Sequence, residues 1–209
     1  MNRTIKTQAQ LQQHIEALIT IEPQFATIYR PANPPTLRVR EQGFRQLCQT
    51  IISQQLSVAV ADSIWQKIVD HRLTNEKAIL SSEDKALRAL GLSKQKIRYL
   101  KSLAGHHIDY QHLNELPDEK VIDQLTRVTG IGRWTAEIYC LFSLKRSDIF
   151  AANDLALQIA TQDFLKLGKR PGEATMRRIA AQWHPYRSAA AYLLWSHYAM
   201  IKQRQGIVT

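Results

Sequence analysis

Two glycines separated by one residue, Gly130 and Gly132, interrupt the otherwise helical stretch LTRVTGIGRWTAEIYCLF. Glycine lets the backbone adopt positive φ and lets another molecule approach, because it has no Cβ. A second helix beginning at about Arg133 has first-turn amides without partners inside the helix. Such a helix start attracts an anion, and with Arg127, Arg133 and Thr135 nearby the predicted ligand is a nucleic-acid phosphate. A plain glycine turn between two helices explains the same two glycines.

Asp154 follows this turn in the sequence DIFAANDLAL. The ordinary pKa of an aspartate is about 3.9, so at neutral pH its carboxylate can stabilise a developing cation and orient a water molecule. Asp154 also precedes the helical run LALQIATQDF, where an aspartate is a good N-cap. Taken without the glycine turn, the pattern favours the cap, although the two roles are compatible.

The composition points to a polyanionic partner. Lys and Arg number 28 against 18 Asp and Glu, which gives a formal charge of +10. A basic protein that is merely soluble has the same balance. The N-terminus lacks the apolar core of a signal peptide, and no run approaches the roughly 18 apolar residues of a membrane span. We therefore expect a cytoplasmic, nucleoid-associated protein.

Nearly every apolar pattern in the chain has helical spacing, which predicts an all-α fold. The prolines of PANPP, Pro31–Pro35, predict a linker. A helix is predicted to end at Gly91, and the next one to begin after the cap Ser93 and to carry a basic run that is typical of a solvated face. Three further helical patterns follow, separated by GKRPG and WHP.

The cysteines and histidines do not suggest a metal site. Cys48 and Cys140 lie in apolar helical surroundings, so we predict buried thiols rather than a disulfide or metal ligands. The adjacent pair His106 and His107 follows Gly105 without a third ligand at metal spacing, which is typical of a surface loop.

Three segments together resemble one protein family. VTGIGRWTAEIYCLF followed by DIFAANDLAL is similar to the helix-hairpin-helix DNA glycosylase superfamily, and most closely to its 3-methyladenine DNA glycosylase II branch. In that family a catalytic Asp follows the hairpin by about twenty residues, a spacing that Asp154 matches. IISQQLSVAVA resembles the segment that enters the minor groove, and YRSAAAYLLWSHY places Trp195 where the branch has a pocket tryptophan.

The resemblance implies a fold. It is the all-α helix-hairpin-helix glycosylase fold, with residues 1–209 as one catalytic unit and a DNA-binding cleft between two helical lobes. One lobe would cover about 40–142, including the hairpin 125–142. The other would combine about 1–39 with 143–209.

It also implies a reaction on a base flipped out of duplex DNA. Breaking the bond between base and deoxyribose builds positive charge at C1′, and Asp154 would stabilise it. A purine alkylated at N3 or N7 is already cationic and leaves without protonation. Trp134 stands where bifunctional members carry the lysine that forms a Schiff base, so a monofunctional enzyme without lyase activity is expected.

The remaining site residues follow from the same resemblance. Trp134 and Trp195 would wall the base pocket, with Tyr139 and Tyr192 beside them, and an indole attracts a cationic base by about 0.5–2 kcal/mol. Gln55, or else Leu56, would be the wedge that fills the gap left by the flipped base. Two solvent-facing glutamines in an ordinary helix-helix turn are the alternative at this position.

No cofactor is expected to be required, and no iron-sulfur cluster, because no cysteine follows Cys140. Family members bind a monovalent cation, Na⁺ or K⁺, through hairpin carbonyls, and by position these would be Thr126, Val128 and Ile131. The expected partner is double-stranded DNA containing alkylated bases, with no membrane involvement and a monomeric chain. A non-catalytic helix-hairpin-helix DNA-binding protein stays open, as does a glycosylase for ethenoadenine, hypoxanthine or mismatched adenine.

Overall fold

The structure of the protein, a computed structural model, describes residues 4–204. Across this range the chain is helical, with one isolated antiparallel bridge between Thr4 and Arg146. The helices are α1 (Gln8–Ile21), α2 (Phe44–Ser53), α3 (Val58–Asp70), α4 (Glu76–Ser81), α5 (Asp84–Ala89), α6 (Lys94–Gly105), α7 (Asp118–Thr126), α8 (Arg133–Phe142), α9 (Leu155–Phe164), α10 (Glu173–Ala181) and α11 (Arg187–Arg204), with 3₁₀ turns at Pro23–Thr27 and His112–Asn114. The predicted all-α class is confirmed.

The chain divides into two compact units. Residues 40–139 form one, which we call the central unit, and 4–39 with 140–204 form the other, the terminal unit. The predicted lobes change over at about 142, a few residues after the division between the units. The predicted DNA cleft between lobes stays a prediction.

In the central unit, capped helices pack their apolar faces together. The side chain of Ser93 accepts the Lys96 amide at the start of α6, and Gly91 ends the preceding segment at φ +100°, so the predicted helix end and cap are confirmed. Helix α6 packs against α2 and α4. Each helix contributes a buried stripe at helical spacing, such as Leu47 and Ile51 from α2.

In the terminal unit, α11 packs against α9 and α1. The core contains an aromatic cluster in which the Trp183 ring lies edge-on to Phe25 at 5.2 Å and to Phe150 at 5.3 Å, and Phe25 stacks on Phe164 at 4.6 Å between centroids. Aromatic side chains bury the largest areas per residue. The packing of α9 against α11 fixes the positions of the side chains at the ends of these helices.

The proline-rich segment runs without helix between the first 3₁₀ turn and α2, as predicted for a linker. It is tied to α1 by Gln8, whose Nε2 donates to the Pro35 carbonyl at 2.9 Å and whose Oε1 accepts the Leu37 amide at 2.8 Å. These bonds fix the position of the residues that follow, including Arg38.

Both cysteines are buried, as predicted. Burial, reinforced by the charge of Glu76, raises the pKa of the Cys48 thiol well above its usual value. Between residues 4 and 204, every helix is too short or too polar to cross a bilayer. Over the same range, no three His, Cys, Asp or Glu side chains group together as metal ligands.

Candidate functional site

The hairpin of residues 125–142 consists of the end of α7, a turn and α8, and the two glycines of the turn have different roles. Gly130 has φ +99°, and a Cβ there would lie 2.5 Å from Cδ2 and 2.8 Å from Cβ of Tyr99. Gly132 lacks a left-handed backbone, and a Cβ there would meet nothing within 4 Å. The expectation that both glycines serve positive φ is therefore wrong for Gly132. The open space beside it suits the close approach of another molecule.

Helix α8 begins at Arg133, as predicted, and its Ala136 amide donates to the Gly132 carbonyl at 3.0 Å. The Arg133 guanidinium donates to both carboxylate oxygens of Glu119, at 2.6 and 2.8 Å, and to Oε1 of Glu137 at 3.0 Å. Burial alone would lower the pKa of Arg133, but the hydrogen bond and charge of Glu119, with Glu137, hold it above its usual value. Much of the positive charge of Arg133 is thus compensated inside the protein.

The other predicted phosphate ligands differ in their access to solvent. Arg127 is the exposed C-cap of α7. Thr135 is only 5% exposed, so it can offer a ligand through its backbone rather than its hydroxyl group. Arg133 and Thr135 therefore fit a phosphate site as helix-start amides, and Arg127 fits it as a side chain.

Trp134 is 37% exposed, in contrast to the apolar residues that follow it on α8. Ile138, Leu141 and Phe142 are all buried. Trp134 therefore lies outside the buried stripe that these three residues form. Its indole, at the start of α8, is exposed to solvent.

Tyr139 lies in the interior of the central unit. It is 3% exposed, and its hydroxyl oxygen accepts the Gly43 amide at 2.8 Å. This hydrogen bond fixes the residue before α2. Packing explains Tyr139, and its part in a base pocket stays a prediction.

Asp154 lies in the terminal unit at the N-cap of α9. Its Oδ1 accepts the Leu157 amide at 3.0 Å and the indole Nε1–H of Trp195 at 3.1 Å. The predicted cap is therefore confirmed. The structure also brings together two residues singled out by the sequence, the carboxylate of Asp154 and the ring of Trp195, although 41 positions separate them.

Trp195 belongs to an aromatic cluster at the end of this unit. Its ring lies 5.5 Å from Phe142 and 6.2 Å, edge-on, from Tyr192, and the Arg38 guanidinium carbon lies 6.0 Å from its centroid. The Tyr192 hydroxyl accepts the Arg38 amide and donates to the Arg38 carbonyl, both at 3.1 Å. Burial raises the pKa of Tyr192. Tyr192 is thus a buried support of the linker, and Trp195 is the half-buried member of the pair.

The predicted wedge residues lie in the turn between α2 and α3. We call residues 54–57 the wedge turn. Gln55 is exposed with φ +57°, and Leu56 is 37% exposed. A left-handed glutamine is uncommon and persists only where the surroundings fix it. Both side chains point to solvent, which is compatible with a wedge and with the alternative of an ordinary turn.

The carbonyls predicted to bind a monovalent cation lie in the hairpin. Thr126 is the last residue of α7, so the helix provides no amide four residues further on for its carbonyl. The Val128 carbonyl accepts the Ile131 amide at 3.0 Å and keeps a second lone pair. Carbonyl oxygens are ligands that hard cations prefer. These residues fit such an ion, whose binding stays a prediction.

Sequence reasoning missed three contributions to these sites. The basic run of α6, to which Lys96 belongs, is predicted to be a solvated face, yet Nζ of Lys96 donates to backbone carbonyls of the wedge turn and α2. Gln54 donates from Nε2 to the Gly130 carbonyl at 3.0 Å. Arg38 lies in a segment without periodicity, so no pattern could have placed it over Trp195.

The sequence is similar to those of known proteins. Residues 48–185 match the model of the family described as HhH-GPD superfamily base excision DNA repair protein. The alkylbase DNA glycosidase-like protein mag2 of Schizosaccharomyces pombe is 26% identical over 190 residues, which cover 85% of this chain and 89% of the relative. The DNA-3-methyladenine glycosylase 1 of the same yeast is 30% identical over 165 residues, which cover 75% of this chain and 72% of that protein.

Solved structures agree. A DNA-3-methyladenine glycosidase from Bacillus halodurans superposes with a TM-score of 0.83 at 26% identity and covers 91% of both chains. The 3-methyladenine DNA glycosylase Mag1 of S. pombe, in complex with abasic DNA, gives 0.67 at 28% identity over 89% of this chain and 95% of its own. The superfamily predicted from the motifs is confirmed. Since the matched residues include the wedge turn, the hairpin and Asp154, the chain belongs to the HhH-GPD superfamily of base excision DNA repair proteins.

Proposed function

We propose that this protein is a monofunctional DNA glycosylase that hydrolyses the N-glycosidic bond of alkylated purines, of the 3-methyladenine and 7-methylguanine type, flipped out of duplex DNA. The product is an abasic site with an intact backbone. The observation that carries this proposal is the pairing of Asp154 with the Trp195 indole at 3.1 Å beside an aromatic cluster. The relative whose structure holds abasic DNA is in complex with the product of such a reaction.

The chemistry follows from the charge that develops during bond cleavage. As the base leaves, C1′ becomes an oxocarbenium-like cation. Asp154 is held by two donors at Oδ1, so its carboxylate is oriented before substrate arrives, and preorganised charge stabilises a transition state without reorganisation. The leaving purine is already cationic when alkylated at N3 or N7. No general acid is needed, and Asp154 has only to stabilise C1′ and orient the attacking water.

The aromatic residues would select the cationic base. Trp195 lies next to the carboxylate, and Trp134 offers an exposed ring on α8. Indole faces attract cations by about 0.5–2 kcal/mol, which favours an alkylated over a neutral purine. Because an indole cannot form a Schiff base, Trp134 also supports hydrolysis without strand cleavage.

The DNA grip would come from the hairpin. The start of α8 and the open side of Gly132 would take one phosphate, with Arg127 nearby in sequence. A Na⁺ or K⁺ ion held by the carbonyls of Thr126, Val128 and Ile131 would add positive charge there. Phosphate contacts of this kind position the protein without reading sequence. Duplex DNA is the partner, and the single chain is the active species.

The test is the release of free base. Duplex DNA containing 7-methylguanine or 3-methyladenine is incubated with the purified protein, and the released bases are separated by chromatography. We expect free methylated purine, strands that break only after alkali treatment, and no covalent adduct after borohydride reduction. Binding without base release would favour a non-catalytic DNA-binding protein. Parallel duplexes with ethenoadenine, hypoxanthine or mismatched adenine would show whether another lesion is preferred.

A further inference from the structure

Lys96 makes an unexpected contact for a member of a surface basic run. Its Nζ donates to the Ile52 carbonyl and, at 2.9 Å, to the Gln54 carbonyl. Both acceptors lie at the C-terminal end of α2, where the last carbonyls lack helical partners and the helix dipole favours a cation. Burial lowers the pKa of Lys96, in keeping with its partly enclosed position. Lys96 therefore links the start of the wedge turn to α6 by hydrogen bonds.

The same face of α6 also supports the hairpin. The Tyr99 ring occupies the space where Gly130 lacks a side chain, and the Ser102 hydroxyl accepts the Thr129 amide at 3.1 Å. Lys96, Tyr99 and Ser102 are spaced three residues apart, so they lie along one side of the helix. One helix face of the central unit thus contacts both turns that the proposed function assigns to DNA.

A side-chain hydrogen bond also joins the wedge turn directly to the hairpin. Gln54, the first residue of the wedge turn, donates from Nε2 to the Gly130 carbonyl at 3.0 Å. Its neighbour Gln55 is held in the left-handed region at φ +57°, a conformation that tertiary contacts must maintain. The two bonds of Lys96 and the one of Gln54 supply such contacts at Ile52 and Gln54, just before Gln55.

We propose that Lys96 and Gln54 are positioning residues that fix the wedge turn relative to the hairpin. This inference rests on the proposed function. A hairpin that grips a phosphate sets the position of the DNA, and the wedge must enter the base stack at a fixed distance from that phosphate. Holding both turns in one geometry before binding lowers the entropy lost when the base is extruded.

Comparing excision from duplex and from single-stranded DNA distinguishes a positioning residue from a purely structural one. In single-stranded DNA the base is unpaired and its removal leaves no gap in a duplex, so a wedge is dispensable. Loss of the positioning bonds should therefore reduce excision from duplex DNA more than excision from a single strand. The ratio of the two single-turnover rates reports on the wedge, because any change in the catalytic carboxylate affects both rates alike.

Two variants test the two bonds separately. Lys96→Met keeps the length of the side chain and removes its donors, and Gln54→Leu removes the donor to Gly130 while leaving the Gln54 carbonyl to Lys96. Lys94→Met is the matched control, because it removes one positive charge from the exposed first residue of α6. Melting curves identify the highest temperature at which all variants are still folded, and the rates are measured below that temperature.

For Lys96→Met and Gln54→Leu we expect the ratio of duplex to single-strand rates to fall by about tenfold or more, as loss of a well-placed hydrogen bond would predict. Fluorescence of 2-aminopurine beside the lesion should show less base extrusion in both, and Lys94→Met should retain the wild-type ratio. A wild-type ratio in either folded variant overturns the inference. Absence of base release by the wild-type protein would instead reject the proposed function.

Discussion

Replacing Asp154 by asparagine separates its structural role from its chemical one. Oδ1 of Asp154 accepts the Leu157 amide and the Trp195 indole, and an asparagine oxygen in the same place can accept both. Asparagine caps helices about as well as aspartate. The charge lost at the helix start is worth about 0.3–1 kcal/mol, which for a chain of this size lowers the melting temperature by about 1–4 °C.

Alanine at position 154 provides the contrast. It removes the cap, at about 0.5–2 kcal/mol, and the hydrogen bond from Trp195, at about 1 kcal/mol. A loss of about 2 kcal/mol corresponds to a melting temperature lower by about 4–8 °C. Asp154→Asn should therefore melt close to the wild-type protein, and Asp154→Ala clearly below it.

The rates of base excision by the two variants should not follow the order of their melting temperatures. Both variants lack the carboxylate that stabilises C1′, and removal of one preorganised electrostatic group costs about 10²–10³ in rate. Single-turnover release of 7-methylguanine from duplex DNA, measured at a temperature where both variants are folded, gives the comparison. An Asp154→Asn protein that retained a tenth or more of the wild-type rate would refute the catalytic assignment and leave only the cap.

Four further substitutions address the turns and the stability of the protein in acid. Gly130→Ala should destabilise the protein by about 2 kcal/mol or more in thermal melts, because the positive φ and the Tyr99 ring packed beside Gly130 exclude a methyl group. Gly132→Ala should have a normal melting temperature, but it should bind duplex DNA more weakly in titrations. Gln55→Gly keeps the left-handed backbone and removes the side chain, so melting should be unchanged while 2-aminopurine extrusion falls; wild-type extrusion would exclude Gln55 as the wedge. Burial alone would raise the pKa of Asp148, but the Arg187 guanidinium, which donates to both its carboxylate oxygens at 2.7 and 2.8 Å, lowers it. The melting temperature of the wild type should therefore fall below about pH 4 as this carboxylate is protonated, and that of Asp148→Asn should fall less on acidification.

Local patterns predicted those parts of the molecule that depend on neighbouring residues. The sequence predicts the caps of α6 at Ser93 and of α9 at Asp154, because an N-cap needs only its own side chain and an amide three residues later. It predicts the helix end at Gly91 because glycine adopts positive φ without strain. The sequence also predicts the hairpin from neighbouring residues alone. Two glycines between two helical apolar stripes, here Gly130 and Gly132, usually indicate a tight turn.

Contacts between distant segments could not be predicted in this way. Lys96 reaches back 42 residues to the wedge turn, and a lysine in a basic run has the same sequence signature whether it is solvated or bonded. The indole bond from Trp195 to Asp154 spans 41 residues and could be expected only through a family resemblance. Nothing in the sequence indicates the left-handed backbone of Gln55, because glutamine has no preference for it.

The structure sharpens the explanation of the proposed phosphate grip. The sequence predicted helix-start amides with the side chains of Arg127 and Arg133 beside them, but the Arg133 guanidinium is compensated by Glu119 and Glu137. What the start of α8 still offers is its backbone amides, beside a glycine whose absent Cβ leaves space. Every residue except proline has a backbone amide N–H, so such a grip would require only glycine at the turn and a helix that begins there. The proposed DNA-binding element would therefore be marked in the sequence by two glycines more clearly than by a cluster of positive charges.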